Sequence, residues 1–310
     1  MYKVMDFSLP RSTDAMVLAA GLGTRLRPLT NLLPKPLVPV GDRPFIAHIL
    51  SQLQRAGFTS VTVNAHHLVA ALQAFARGRD DVRLSVEDDL LGTAGGVQRA
   101  RAQGLLAQER LLVINGDLQA DVPVDALLAK AHRGVGAPEA VLLVAPSAGR
   151  GNVGIDAGGG VTRLRQETVR AGEVASFSYL GCALLEETVL RVLPASGCLV
   201  GDVFLPLLRR GARFETLAID TPWLDVGTPS SYVDANVRWL AAQSRAWWCG
   251  PGAQVCGVDL RASVVGECAQ IDSGTVLDHC VVWPNTHVPR GTHQHAIFAP
   301  GLSPIDVRGQ

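Results

Sequence analysis

The sequence predicts an α/β protein, with a doubly wound, mostly parallel sheet followed by a short β tail. Between Ala15 and about residue 145, short β-branched runs alternate with stretches of helical spacing. This alternation is typical of parallel strands joined by crossover helices. After about residue 252, aliphatic residues and glycines recur roughly every 16–17 positions. A repeat of that length indicates stacked coils that each bury aliphatic side chains.

The elements of the predicted sheet follow one another in a regular order. Ala15–Ala19 is a short apolar run that ends at glycine, and Leu111–Asn115 is a continuous apolar run typical of buried parallel strands. Apolar spacing and turn residues further predict helices at Phe45–Gly57, His67–Ala76, Ala94–Leu106, Leu205–Leu208 and Ser230–Ala246, strands at Ser60–Asn64, Val82–Val86 and Tyr179–Leu185, and hairpins near Gly158. Because parallel strands end at one edge of a sheet, we expect ligands at their carboxyl ends.

The tail carries an internal repeat. Val264–Thr275 matches Val281–Thr292 at both valines and at the Gly-Thr pair. Three hexapeptides per coil would give ~18 residues, so the tail offers about two to three coils, barely the number that such arrays need. We therefore expect it to pack against the first domain or against another subunit. The predicted organisation is an N-terminal extension (1–14), a ligand-binding domain (15–246) and the repeat tail (247–310).

Composition excludes several classes of protein. The 310 residues carry 28 basic and 28 acidic side chains, and this zero net charge argues against a nucleic-acid-binding protein. The apolar runs fall far short of the ~20 residues that span a bilayer, so no membrane association is expected. Six cysteines without a C-x-x-C pair indicate free thiols in a reducing compartment. With no apolar leader in residues 1–14, these features predict a cytoplasmic protein.

A glycine-rich loop follows the first strand. It reads A-G-L-G-T-R-L-R-P-L-T from Ala20, and its glycines and arginines suit an anion. Leu26 stands where a dinucleotide fingerprint needs its third glycine, and the Walker ending G-K-[ST] is absent. Further on, P-K-P holds Lys35, one of three lysines in the chain, at a defined place that suits a phosphate oxygen. The alternatives are a tight turn and an exposed loop lysine.

These motifs together resemble the opening of the sugar-nucleotidyltransferase (nucleoside-diphosphate-sugar pyrophosphorylase) family. The similarity continues through L-G-T-A-G-G at Leu91, N-G-D at Asn115, W-L-D-V-G-T-P at Trp223 and the hexapeptide-like tail. Within the family, the chain looks most like bacterial mannose-1-phosphate guanylyltransferases and their heptose- and muramate-handling relatives. The resemblance implies a Rossmann-like nucleotidyltransferase fold with a short left-handed β-helix-like tail.

The resemblance also implies a reaction, in which an NTP and a sugar 1-phosphate give an NDP-sugar and pyrophosphate. GTP with mannose 1-phosphate, or a related hexose or heptose 1-phosphate, is the leading expectation. UTP or dTTP with another sugar 1-phosphate, and a catalytically silent sugar-nucleotide-binding regulatory subunit, are the alternatives. A Rossmann oxidoreductase is disfavoured because the third glycine is missing. We expect a homo-oligomer that forms through the tail.

The site residues implied by the resemblance fall into two groups at the nucleotide end. Arg25, Lys35 and Asp117 are the expected catalytic residues, and Asp117 and Asp225 are the expected ligands of Mg²⁺, although either aspartate alone suits a cap or a turn. Nucleotide binding is expected at Leu18, Ala20, Gly21, Gly23, Thr24, Arg25, Glu87, Gly92, Thr93 and Gly95. The Glu87 carboxylate would accept from guanine N1–H and N2–H₂, and its alternative is a solvated acidic run.

The sugar end departs from the family pattern. Sugar binding is expected at Asn115, Gly154, Glu167, Gly181 and Asp202. Many relatives have E-K-P where this chain reads E-T-V from Glu167, so a phosphate-facing lysine is missing. Arg163, Arg165 and Arg170 are the candidates to supply the lost charge, and the sequence does not choose among them. The histidines of the tail match no usual zinc spacing, so we expect no metal there.

Overall fold

The computed structural model describes residues 13–131 and 136–308. As far as the chain is described, it forms two compact units. The first is made of Met1–Gly21 and Ile49–Trp223, and the second of Leu22–His48 and Leu224–Gln310. These units group the chain differently from the predicted domain boundaries, which follow sequence texture alone. The predicted N-terminal extension lies outside the described residues, except for Thr13 and Asp14, which belong to the first strand.

Helices and short helical turns connect the strands. The α-helices are α1 (Phe45–Arg55), α2 (Val69–Ala76), α3 (Gly92–Ala102), α4 (Val124–Lys130), α5 (Glu187–Leu190), α6 (Leu205–Arg209) and α7 (Pro229–Ala242). Three 3₁₀ turns lie at Thr24–Leu26, Leu29–Asn31 and Lys35–Leu37, and a π-helical turn lies at Leu199–Phe204. The five helices expected from the sequence are confirmed, with ends that differ by a few residues.

The strands follow the predicted alternation. They are β1 (Thr13–Leu18), β2 (Pro39–Val40), β3 (Arg43–Pro44), β4 (Val61–Ala65), β5 (Val82–Val86), β6 (Arg110–Asn115), β7 (Leu118–Gln119), β8 (Ala140–Pro146), β9 (Val153–Ile155), β10 (Val161–Leu164), β11 (Glu167–Thr168), β12 (Ala175–Leu185), β13 (Phe214–Ala218), β14 (Leu224–Asp225), β15 (Trp248–Cys249), β16 (Asp259–Arg261), β17 (Val264–Val265), β18 (Gln270–Ile271), β19 (Val276–Asp278), β20 (Val281–Val282), β21 (His287–Val288), β22 (Thr292–Gln294), β23 (Ala296–Phe298) and β24 (Ile305–Asp306).

The first unit is built on a ten-stranded mixed sheet with the path β11-β10-β9-β12-β6-β1-β4-β5. Off this path, β8 pairs with β12, and β13 pairs with β8. Strands β6, β1, β4 and β5 run parallel, whereas β12 and β10 run against their neighbours. The predicted α/β architecture with a large, mostly parallel sheet is therefore confirmed. The chain passes from β1 to β4 on one side and reaches β6 on the other, so the strand order reverses at β1. Such a reversal opens a crevice at the carboxyl ends of the strands.

The core of the first unit explains the continuous apolar runs. Residues 111–114 of β6 and residues 141–144 of β8 are buried along their whole length, because both faces of these strands are covered. Phe204 and Phe214 meet edge to face with ring centroids 5.3 Å apart. Burial of each such side chain stabilises the unit by roughly 1.5–3 kcal/mol relative to exposure.

The second unit contains the repeat tail, whose strands form three parallel stacks. One stack is β15-β17-β20-β23, another is β16-β19-β22, and the third is β18-β21. Val264 pairs with Val281, which in turn pairs with Ile297, so neighbouring strands are offset by 16 or 17 residues. The repeat read from the sequence is thus the register of the stacked strands. Val265, Val282, Val288, Leu277 and Phe298 form the core inside the coils, whereas Val264 and Val281 belong to the core shared with α7.

Helix α7 packs between the tail and the segment Leu22–His48 inside the second unit. The hydroxyl of Tyr232 donates to the carbonyl oxygen of Pro39 at 2.5 Å and accepts from Nε1 of Trp283 at 3.0 Å. Gly41 has a φ of 63°, and a Cβ there would lie 2.1 Å from the ring of Trp239. These contacts fix the loop segment against α7 and the coils, although the three segments are far apart in sequence.

Among the described residues, no helix is long and apolar enough to cross a membrane. All six cysteines carry free thiols, as expected from their spacing.

Candidate functional site

The sheet edge at which a ligand is expected lies where β1 and β6 end side by side. Leu18 pairs with Asn115, and the backbone N–H of Gly116 donates to the Leu18 carbonyl oxygen at 2.8 Å. A Cβ on Gly116 would lie 2.8 Å from that same oxygen, so only glycine permits this approach. The residues that follow the two strands, Ala20 and Asp117 among them, therefore leave the sheet at the same edge. This edge is the expected ligand-binding edge of an open α/β sheet.

A buried hydrogen-bond network supports this edge. The backbone N–H of Ala19 donates to Oδ1 of Asn64 at 2.6 Å, and Nδ2 of Asn64 donates to Oε1 of Glu87 at 2.6 Å. The second oxygen of Glu87 accepts from the backbone N–H of Leu91 at 3.2 Å. Glu87 is only 2% exposed. The carboxylate that the sequence offers as a base-reading group thus ties the end of β1 to the start of α3.

The G-T-A-G segment at the start of α3 is packed by a second chain segment. A Cβ on Gly92 would lie 2.5 Å from the Gly197 carbonyl oxygen, and one on Gly95 would lie 2.7 Å from the Ala195 carbonyl oxygen. The Leu199 backbone N–H donates to Oγ1 of Thr93 at 2.7 Å. The two glycines are therefore required by the close approach of residues 195–199, and Thr93 anchors that turn.

Cys198 lies in this turn beside a guanidinium. Its backbone N–H donates to Oδ2 of Asp202 at 2.6 Å, and its Sγ accepts from Nη2 of Arg165 at 3.3 Å. Burial alone would raise the pKa of Cys198. Hydrogen bonds from the N–H groups of Gly201 and Val200, a hydrogen bond from Thr93 and the charge of Arg165 outweigh burial and lower that pKa. Sequence reasoning missed this thiol, because only the fold brings Arg165 to it.

The residues expected to bind the sugar are brought together only in part. Gly181 has a φ of 73°, and a Cβ there would lie 2.2 Å from Nδ2 of Asn115, so these two meet closely. Gly154 instead faces Glu173, whose carboxylate a Cβ would approach to 2.4 Å. Glu167 accepts two hydrogen bonds from Arg209 at 2.5 and 2.6 Å, and this bonding lowers the pKa of Glu167. Asp202 is engaged by the backbone of Cys198.

The second unit holds the glycine-rich loop. Gly23 has a φ of 61°, and a Cβ there would lie 2.8 Å from Cγ2 of Thr30 and 3.3 Å from Cβ of Lys35. Oγ1 of Thr30 donates to the Gly23 carbonyl oxygen at 2.9 Å. Leu26 and Leu29 are fully buried in the core of this unit. Leu26, where a dinucleotide fingerprint would have glycine, is therefore an anchor that turns the loop back toward Lys35.

Three charged residues converge in the second unit. Nη2 of Arg25 lies 3.5 Å from Oδ2 of Asp225, and Nζ of Lys35 lies 3.8 Å from Oδ1 of the same carboxylate. A Cβ on Gly227 would lie 2.7 Å from Nη2 of Arg25, so the glycine of W-L-D-V-G-T-P makes room for the guanidinium. Thr228 and the serine three residues later form a capping box that begins α7 and fixes the end of this motif.

The donor set for a metal is limited. Within residues 13–131 and 136–308, no group of three or more His, Cys, Asp and Glu side chains could hold a metal ion. In the tail, His279 stacks on His295 with ring centroids 4.8 Å apart, and Nε2 of His287 lies 3.0 Å from Oδ1 of Asp272. Asp117 belongs to the first unit and Asp225 to the second, so their joint action on a metal stays a prediction from the sequence.

The sequence of this chain is similar to those of known proteins. A model of the Nucleotidyl transferase family matches residues 14–241. The mannose-1-phosphate guanylyltransferase of Mycobacterium tuberculosis is 30% identical over 302 residues, which cover 90% of this chain and 82% of that protein. The UTP–glucose-1-phosphate uridylyltransferase of Synechocystis sp. is 27% identical over 269 residues, which cover 81% of this chain and 68% of that protein.

Solved structures show the same fold at lower identity. HddC from Yersinia pseudotuberculosis, in a crystal structure complexed with GMP-PN, matches with a TM-score of 0.60 and 20% identity, over 73% of this chain and 99% of that one. A second crystal structure of HddC from Yersinia pseudotuberculosis gives a TM-score of 0.60 and 19% identity. Since the family model spans most of the sequence and the fold agrees, the chain belongs to the nucleotidyl transferase family.

Proposed function

We propose that this protein condenses an NTP with a sugar 1-phosphate to give an NDP-sugar and pyrophosphate, and that GTP and mannose 1-phosphate, or a related hexose or heptose 1-phosphate, are its substrates. The observation that carries the proposal is the convergence of Arg25 and Lys35 on Asp225 in a chain of this family. The relative at 30% identity that is named a mannose-1-phosphate guanylyltransferase supports the choice of base and sugar.

The reaction needs positioned charge more than a protein nucleophile. An oxygen of the sugar phosphate attacks the α-phosphorus of the NTP, the new P–O bond forms, and the bond from that phosphorus to the bridging oxygen breaks. Pyrophosphate leaves with the electron pair. The attacking oxygen is already anionic near neutral pH, so no strong base is required. Arg25 and Lys35 would neutralise the charge on the triphosphate as it builds on the leaving group.

The cofactor that we propose is Mg²⁺. Carboxylate oxygens are the hard ligands that this ion prefers, and it commonly takes only one or two of them together with phosphate oxygens. The Asp225 carboxylate is 51% exposed and faces two cations, so it is open to exchange when a triphosphate arrives. Asp117, at the carboxyl end of β6, is the second proposed ligand. When bound, the ion would supply charge neutralisation at the phosphates.

The remaining site assignments extend the same proposal. Leu18, Ala20, Gly21, Gly23 and Thr24 would line the nucleotide with the start of α3, and Asn115, Gly181 and Asp202 would line the sugar. The left hand of the coils and a homo-oligomer formed through the tail complete the proposal. Half-exposed Trp247, at the start of the tail, supports association. Light scattering of the purified protein checks this, since a monomeric mass would contradict it.

The decisive experiment is a substrate grid. Magnesium-dependent pyrophosphate release is measured for GTP, UTP, dTTP, ATP and CTP, each with mannose 1-phosphate, glucose 1-phosphate and heptose 1-phosphates. We expect turnover with GTP and mannose 1-phosphate or a related sugar, and loss of turnover in Asp117→Asn. Turnover with UTP or dTTP instead of GTP would support the proposed reaction but would contradict the proposed choice of nucleotide. No turnover with any combination of NTP and sugar 1-phosphate, together with tight nucleotide-sugar binding, would favour the silent regulatory subunit.

A further inference from the structure

Four arginines surround the hairpin strands of the first unit, and they differ in what neutralises them. Arg163 is buried and gives two hydrogen bonds to Glu173, at 2.9 and 3.0 Å. Its Nη1 also donates to the carbonyl oxygens of Gly151 and Arg165, at 3.0 and 2.7 Å. Arg163 is therefore fully engaged in holding the hairpin together.

Two of the other arginines are also neutralised by a carboxylate. Nη2 of Arg170 donates to Oδ2 of Asp156 at 2.6 Å. Arg209 holds Glu167 with two hydrogen bonds at 2.5 and 2.6 Å. A ligand would have to displace a carboxylate from each of these two guanidinium groups before it could accept the same charge-assisted hydrogen bonds.

Arg165 differs from all three. In the part of the chain that the structure describes, no carboxylate lies within salt-bridge distance of its guanidinium. Its Nη2 contacts only the Sγ of Cys198, at 3.3 Å. A thiol is a weak acceptor, and a phosphate oxygen would be a much better partner for the same N–H groups.

The backbone of Arg165 is also unusual. Leu164 pairs with Glu167, so Arg165 is the first residue of a two-residue hairpin loop between β10 and β11. Its φ is 56°, in the left-handed region that such loops normally give to glycine or asparagine. A bulky side chain held in a strained loop conformation is more typical of functional sites than of ordinary turns.

The side chain extends toward the segments that are expected to bind the substrates. Nη1 of Arg165 would lie 3.4 Å from a Cβ on Gly201, next to Asp202. Cys198, its contact, bonds to Thr93 of the G-T-A-G segment. The guanidinium thus lies between a residue expected to bind the sugar and a residue expected to bind the nucleotide. The reacting phosphate of a sugar 1-phosphate would have to lie at such a junction.

We propose that Arg165 binds the phosphate of the sugar 1-phosphate and takes the place of the lysine that is missing after Glu167. This inference rests on the proposed function, since it names the group that recognises the second substrate. The phosphate would displace the Cys198 thiol from the guanidinium and receive a two-pronged contact from it. Arg165 would recognise the phosphate and would make no contact with the neutral part of the sugar.

The first test compares three arginines by steady-state kinetics with the sugar 1-phosphate that gives turnover. Arg165→Gln should raise KM for the sugar 1-phosphate on the order of 10- to 100-fold, as expected for loss of a charged hydrogen bond, with KM for the NTP changed by less than about twofold. Arg165→Lys should restore part of the loss. Arg170→Gln tests the competing candidate, and Arg191→Gln, whose pair with Glu187 lies on α5, is the matched control.

The second test needs no turnover. Alkylation of Cys198 by iodoacetamide is followed by peptide mass spectrometry, with the exposed Cys256 and Cys268 as internal references. Millimolar mannose 1-phosphate should slow alkylation of Cys198 at least about threefold, since the bound phosphate covers the thiol. Free mannose should not slow it, and Arg165→Gln should remove the protection. Inorganic phosphate as a probe separates recognition of the phosphate alone from that of the sugar phosphate.

The two tests separate this inference from the proposed function. Protection of Cys198 without pyrophosphate release would keep Arg165 as the phosphate-binding residue and reject the reaction. Turnover with an unchanged KM for the sugar 1-phosphate in Arg165→Gln would keep the reaction and reject the role of Arg165. A larger KM effect in Arg170→Gln than in Arg165→Gln would also reject it, as would the absence of both turnover and protection.

Discussion

Two regions of the molecule that carry several basic side chains differ in how these charges are neutralised. In the second unit, Arg25 and Lys35 face Asp225 at 3.5 and 3.8 Å. The Arg25 and Asp225 side chains are 64% and 51% exposed, whereas that of Lys35 is 13% exposed. In the first unit, the guanidinium of Arg163 is buried and holds Glu173 at 2.9 and 3.0 Å. Long, exposed contacts exchange readily for a ligand, whereas short, buried ones hold the fold.

The energetics follow the geometry. An exposed ion pair contributes about 0–1 kcal/mol, so Asp225 can leave the exposed guanidinium of Arg25 at little cost. Removal of one partner from a largely buried pair costs several kcal/mol, because the remaining polar groups lose their partners. A charged residue is therefore better judged by how tightly its partner is held than by its charge.

The largest expected effect is on catalysis and comes from the cations that face Asp225. Lys35→Met keeps the apolar stem and removes the ammonium, and we expect kcat/KM for pyrophosphate release to fall about 10³-fold. Lys130→Met, which removes a lysine 3.6 Å from Glu215, is the control and should keep its activity. A loss below about tenfold in Lys35→Met would contradict the assignment.

For the buried Arg163, we expect the main effect of substitution on stability rather than on catalysis. Arg163→Met leaves Glu173 and two carbonyl oxygens without their donor, and we expect the free energy of unfolding in urea to fall by about 3 kcal/mol. Arg170→Met, from the exposed pair with Asp156, should lose less than about 1 kcal/mol. Equal losses in the two variants would remove the distinction between the tight and the loose pairs.

Much of the fold follows from the sequence alone. Val82–Val86 alternates with the period of a strand, and Leu111–Asn115 is a short continuous apolar run of the length of a strand. Both are strands within one residue of the expected ends. The offset of the tail repeat is also local information. What no local pattern contains is the grouping of Leu22–His48 with Leu224–Gln310. It depends on contacts such as the hydrogen bond from the Gly41 N–H to Asn236, 195 positions away.

The candidate site shows the same limit. The types of residue at Arg25, Lys35 and Asp225 are readable because the motifs around them are long. The availability of a charge is not readable, since it depends on partners such as Arg209 for Glu167, 42 positions away. For this reason the sequence left three arginines as equal candidates at the sugar end, and the hydrogen bonds of the folded chain separate them.

Asp225→Asn should break the exchange between carboxylate and triphosphate. We expect magnesium-dependent turnover to fall about 10²-fold, because a metal ligand and a counter-charge are lost. Binding of GTP without magnesium should tighten about threefold or more, because Arg25 and Lys35 no longer share their charge with a carboxylate. Calorimetry in the presence of a chelator measures the second effect. Weaker binding of GTP both with magnesium and with the chelator would show that Asp225 only positions the two cations.

Glu87 is a buried, hydrogen-bonded group inside the expected nucleotide site. Its substitution tests whether such a group stabilises the fold rather than binding a ligand. Glu87→Gln replaces one acceptor by an NH₂ group that faces the donor of either Asn64 or Leu91, and we expect a loss of about 2 kcal/mol in the free energy of unfolding. The ratio of kcat/KM for GTP to that for UTP should stay within about twofold. A shift of tenfold or more toward UTP, at unchanged stability, would restore the role of Glu87 in reading the base.

The smallest expected effect comes from Asp156, in the hairpin of the first unit. The Gly160 N–H contributes most to lowering its pKa, partial burial opposes this, and the Gly158 N–H and Arg170 lower it further. A carboxyl group with a lowered pKa in the folded state stabilises the protein above its unfolded pKa of about 3.9, and this contribution is lost as the pH falls through the folded value. Asp156→Asn should therefore cost less than about 1 kcal/mol at pH 7. In urea unfolding at decreasing pH, the difference from the wild type should shrink toward zero as the pH falls below the unfolded pKa and through the lowered folded pKa. A difference that grows on acidification would mean that the neutral carboxyl group is the form preferred by the fold.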